Sequence, residues 1–207
     1  MSREDAKYPG LNLDSSHGED HEDAEGLMFG FWIFLMSDVI LFAMVFASYL
    51  TSLQGGAGGP GPLQLYDLKS VFFETLLLLA SSFTFGMASL TVKYKHGVPK
   101  LTVWLVATLL LGVGFLAFEL HDFSVMFAKG GVPSRSGFLS AFFGLVPLHG
   151  IHVACGCIWL VCLLGQIARY GLDSDTKNGI MRLALFWHFL DIVWVAVFSI
   201  VYLGGLA

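Results

Sequence analysis

Five apolar stretches dominate the chain, at about residues 27–53, 68–92, 101–127, 137–168 and 180–204. A helix needs about 20 residues to cross a hydrocarbon core, so each stretch is long enough to span a bilayer. Hydrophobic residues make up 56% of the 207 positions, above the roughly 45–50% of soluble chains. Almost nothing remains for a soluble domain. The predicted fold is an all-α integral membrane protein, with five transmembrane helices in an antiparallel bundle. The inner connectors "KYKHGVPK" and "RYGLDSDTKNG" are short enough to make consecutive helices neighbours.

Residues 1–26 have another character. Glu4, Asp5, Asp14, Glu19, Asp20, Glu22, Asp23 and Glu25 are half of the 16 acids, so the net charge of −5 belongs mostly to this tail. Such a segment is expected to be disordered, and nucleic acid is not an expected partner. Arg3 and Lys7 precede acids rather than a short apolar core, so no cleaved secretion signal is expected. His17 and His21 are four apart, but Gly18 and the charge density argue against a helix that would bring them onto one metal.

With five spans, the amino terminus and the second and fourth loops share one side. That side carries Arg3, Lys7, Lys93, Lys95, Lys100, Arg169, Lys177 and Arg182; the other carries Lys69, Lys129 and Arg135. The positive-inside rule therefore predicts a cytoplasmic amino terminus and an outside, periplasmic carboxyl terminus. The first outer loop, "LQGGAGGPGPLQLYD", reads as a flexible connector. Pro147 predicts a kink in the fourth span.

Cys155, Cys157 and Cys162 all lie in the fourth stretch. A zinc or two-copper site needs further ligands in a polar domain, so these cysteines are read as packing residues.

The informative residues are ionisable groups inside the spans, each disfavoured there by about 2.5–3.5 kcal/mol at a helix centre. Asp38, Glu74, Glu119, Asp122, His149, His152, His188 and Asp191 fall within the stretches. His149 and His152 lie near the middle of span four, one turn apart; His188 and Asp191 have the same spacing near the middle of span five. These four are predicted to form one interhelical polar layer, with Trp187 and Trp194 packing beside it. Glu74, Glu119 and Asp122 are expected to share the outer half, and Asp38 to lie slightly inward of the middle of span one. A haem-copper centre with a second haem needs about six histidines, whereas only five stand outside the tail. No metal site, catalytic site or cofactor of its own is expected in this chain.

"MSDVILF" in the first stretch, "RSGFLSAFF" leading into the fourth, "HGIHVACG" within it and "FWHFLDIVW" in the fifth resemble subunit III of the haem-copper respiratory oxidases. The five-span form is most similar to the third subunit of the cytochrome bo-type ubiquinol oxidases. The resemblance covers about Leu27 to the end. It implies a non-catalytic subunit of a proton-translocating ubiquinol oxidase in a bacterial inner membrane. Such a subunit packs directly on subunit I, which holds the haems and copper, contacts other oxidase subunits, binds phospholipid and supports proton uptake. It also implies that Asp38 matches the family's carbodiimide-reactive carboxylate, where many relatives carry Glu. Two other readings stand beside it. One is an accessory subunit of a nitric oxide reductase system. The other is a small proton carrier using Asp38 and the polar layer, against which the absence of internal repeats counts.

Overall fold

The computed structural model describes residues 18–52, 68–94, 97–132, 134 and 136–204. They form five long helices: α1 Gly18–Ser52, α2 Leu68–Lys93, α3 Val98–Ala128, α4 Gly137–Tyr170 and α5 Ser174–Val197. α5 continues into a π-helical turn, Phe198–Leu203. All five helices are long and apolar enough to cross a membrane, and the described residues contain no strand. The five-span reading holds, with each span close to its apolar stretch.

The starts and stops follow local chemistry. α3 is preceded by Gly97 at φ 96° and has a proline in its first turn, where a missing N–H is tolerated. Ser136 caps α4, its Oγ accepting from the Leu139 N–H at 3.1 Å. Gly171, at φ 77°, ends α4 and donates its N–H to the Ile167 carbonyl. Pro147 lies inside α4 without ending the helix.

α1 differs from expectation at its start. It begins at Gly18, so the acidic stretch 18–25 is helical where composition predicts disorder. Acids at a helix amino terminus complement its dipole, and the long apolar run behind them removes the cost of nucleation. The rest of the tail, His17 included, lies outside the described residues, as does the loop 53–67.

α5 is the central element, touching α1, α2 and α4, while α2 packs most extensively on α3. Two indoles anchor it. Trp187 Nε1 donates to Ser81 Oγ at 3.0 Å and Trp194 Nε1 to Thr75 Oγ1 at 3.1 Å, both on α2. Each hydroxyl in turn donates to a carbonyl of its own helix, Leu78 or Val71. The hydroxyls therefore join indoles to a helix backbone that is already satisfied, as a hydrocarbon surrounding requires. Glycines make room for the larger ring: a Cβ on Gly112 would stand 2.9 Å from Trp187, and one on Gly156 3.1 Å. At the end of the bundle, Tyr49 of α1 donates to the Val201 carbonyl in the π turn at 3.3 Å.

Candidate functional site

The buried polar residues gather at separate stations, each built from different helices. The first joins α1 to α4. α1 buries a narrow stripe of Leu35, Asp38, Phe42 and Tyr49, a spacing that lays one helix face against the bundle. Asp38 Oδ2 lies 3.8 Å from His152 Nε2, and Phe42, one turn on, packs against the same imidazole with centroids 5.2 Å apart. His152 Nδ1 donates to the Leu148 carbonyl at 2.7 Å. Because the carbonyl can only accept, Nδ1 carries a hydrogen and Nε2 is the position that faces the carboxyl group.

The second station joins α4 to α5. His149 is fully buried and its Nε2 donates to the Leu190 carbonyl at 3.2 Å. Trp194 lies beside its ring at 5.1 Å and Phe115 stands edge-on at 5.8 Å.

The third joins α5 to α2. His188 Nδ1 is 2.8 Å from Ser82 Oγ and 3.5 Å from Asp191 Oδ2. Asp191 is buried, whereas the His188 side chain is 44% exposed.

The fourth lies between α2 and α3. Glu74 and Glu119 are buried and, with Asp122, close enough to act on one another electrostatically. Tyr202 of the π turn is within the same electrostatic reach. Ser70 donates to Asp122 Oδ1 at 2.8 Å. The Glu119 carboxylate lies over the backbone of Gly150, where a Cβ would be 2.5 Å from Oε2.

The structure thus brings Glu74, Glu119 and Asp122 together, and pairs His188 with Asp191. The three imidazoles have different partners: His152 faces Asp38 of α1, His149 bonds the α5 backbone and His188 meets Ser82 of α2. Sequence reading missed the Asp38–His152 partnership and every hydroxyl partner on α2. The visible signal was the set Thr75, Ser81, Ser82 and Thr84 inside an otherwise apolar span, since hydroxyls in such a span usually serve a neighbouring helix. Cys155 and Cys162 are exposed and Cys157 is buried, all three as free thiols. Among the described residues, no three His, Cys, Asp or Glu side chains are placed to share one metal ion.

The family model for cytochrome c oxidase subunit III matches residues 12–206. The cytochrome bo(3) ubiquinol oxidase subunit 3 of Pseudomonas aeruginosa is 44% identical over 189 residues, covering 91% of this chain and 90% of the relative. That of Pseudomonas putida is 46% identical over 187 residues, covering 89% of each. The quinol oxidase subunit 3 of Bacillus subtilis is 40% identical over 177 residues, covering 86% of each.

Proposed function

The chain belongs to the cytochrome c oxidase subunit III family, and from that premise we propose that it is the non-catalytic third subunit of a proton-translocating ubiquinol oxidase. It packs directly against subunit I, whose haems and copper carry the chemistry, binds phospholipid and supports proton uptake. It sits in a bacterial inner membrane with its amino terminus in the cytoplasm. Cross-helix pairs support an antiparallel bundle: Ser70 meets Asp122 and Thr84 meets Thr108, so numbers rise along α2 as they fall along α3.

The observation that carries the non-catalytic reading is how the imidazoles are used. His149 and His188 each commit a ring nitrogen to a group on another helix, and His152 bonds the Leu148 carbonyl of its own helix while its Nε2 faces Asp38 of α1. That is the behaviour of groups that hold helices together. Among the described residues, Asp38 and His152 bring two ionisable side chains together between the peripheral helix and the bundle, which supports assigning the proton-related role to Asp38.

The test compares oxidase complexes purified with and without the chain. The reduced-minus-oxidised haem spectrum, normalised to subunit I, should be unchanged, while sustained turnover falls. A whole haem equivalent that leaves with this polypeptide would overturn the reading.

A further inference from the structure

His188 lies at the middle of α5 with its π extension, and Ser82 near the middle of α2. This is the depth at which a bilayer offers neither water nor headgroups. A polar side chain facing hydrocarbon there is disfavoured, so such groups normally face protein or a water-filled cavity. The His188 side chain is nonetheless 44% exposed on the isolated chain.

Its inner edge is already furnished. Nδ1 is engaged by Ser82 Oγ at 2.8 Å and approached by Asp191 Oδ2 at 3.5 Å, and the ring stands edge-on to the buried Phe85 at 6.3 Å. Nε2 is the nitrogen left for an outside group. The neutral ring carries one hydrogen, so Nε2 accepts when Nδ1 bears it and donates in the other tautomer.

The surroundings suit a helix more than a small molecule. Gly86, one turn beyond Ser82, has no atom within 4 Å of a would-be Cβ, and missing side chains of this kind let a second helix approach closely. On α5, Ile192 and Val195 lie one and two turns from His188 on the same face, Ile192 being 70% exposed. A quinol ring would need a concave slot, whereas the neighbours of His188 on its outward face include the exposed Ile192 and Val195. A lipid tail offers no hydrogen-bonding group.

We propose that the face formed by Ser82 and Gly86 of α2 with His188 and Ile192 of α5 receives a transmembrane helix of the partner oxidase chain. That helix brings a hydrogen-bonding side chain to His188. The inference rests on reading this chain as a subunit III and adds which face makes the contact and through which group.

The experiment places a photo-crosslinking benzophenone side chain at Ile192 in the full chain and irradiates the intact complex in native membranes. An adduct with an oxidase polypeptide, identified by mass spectrometry, is expected; adducts only with phospholipid or with a prenylquinone would overturn the proposal. In the otherwise unaltered chain, His188→Leu should reduce retention in the detergent-purified complex roughly threefold to twentyfold, from the range measured for intramembrane hydrogen bonds. His188→Gln, which keeps a donor and an acceptor, should restore most of it. Equal retention of the Leu and Gln variants would also overturn it. A chain that copurifies with the oxidase but crosslinks only lipid sinks this inference alone, whereas a chain that never copurifies with an oxidase sinks the functional reading beneath it.

Discussion

α1 and α5 are almost equally apolar, yet they live in different surroundings. Of their most apolar windows, 44% is buried in α5 and 17% in α1. α5 turns Leu183, Trp187, Leu190, Trp194 and Val197 inward. α1 leaves Phe29, Trp32, Ile33, Ile40 and Met44 exposed and buries one stripe centred on Asp38. Hydrophobicity does not separate the two, because lipid is as apolar as a protein core and gives leucine no reason to prefer either. Position is decided by fit and by hydrogen bonds. Indoles find hydroxyls, glycines open a slot for Trp187, and a carboxyl group finds an imidazole.

The comparison is tested hardest by removing one indole from each helix. Trp194→Ala deletes a buried ring that packs edge-on against Phe115 at 4.7 Å and bonds Thr75, and should destabilise the chain by about 3–5 kcal/mol. Trp32→Ala removes a ring that is 48% exposed and should stay within about 0.5 kcal/mol. Unfolding in mixed detergent–SDS micelles reads both. Similar losses for the two would mean that α1 is held as firmly as α5.

A backbone version follows. Gly150→Ala drives a methyl group into the Glu119 carboxylate, 2.5 Å from Oε2, and an overpacked contact of this kind costs about 1–3 kcal/mol. Gly30→Ala in α1 meets no atom within 4 Å and should be neutral, or stabilising by up to about 1 kcal/mol through helix propensity. The same titration distinguishes them. A neutral Gly150→Ala would show that Glu119 swings away freely and that the acids between α2 and α3 are not tightly packed.

The parts of this architecture that were legible in the sequence are those that depend on one helix at a time. Span number and limits follow from the length of the apolar runs. Trp187 and Trp194, seven residues apart, share one buried face of α5 as their spacing predicts. What failed was the choice of neighbour. His149 and His152 are three residues apart, which leaves them about 60° apart around the helix. In a five-helix bundle that offset is enough to direct one at the α5 backbone and the other at Asp38 of α1. Periodicity gives a face, and a face can border two helices. The helical start of the acidic segment was missed for a related reason, since composition says nothing of the 27-residue helix that follows and extends back into it.

The smallest expected effect on stability comes from the residue that distinguishes α1 chemically. Asp38→Asn keeps the shape of the side chain and its approach to His152, so assembly should change by no more than about 0.6 kcal/mol, the usual worth of one intramembrane hydrogen bond. Its chemical effect should be complete. A hydrophobic carbodiimide adds to a carboxyl group and not to an amide, and it arrives dissolved in lipid. Glu74, Glu119 and Asp38 are all buried, at 1%, 4% and 7% exposure, but Asp38 lies on the inward face of a peripheral helix whose other faces are open, where a lipid-dissolved reagent has the shorter path. Peptide mapping of the labelled, intact complex should therefore place the adduct on the α1 fragment, and Asp38→Asn should abolish it while leaving the complex assembled. His152→Gln should leave the target in place but alter the labelling rate, because the ring that faces the carboxyl group is gone. Labelling that persists unchanged in Asp38→Asn would move the reactive group to another span. The stripe along α1 would then be packing alone, and the proton-related role would lose its residue.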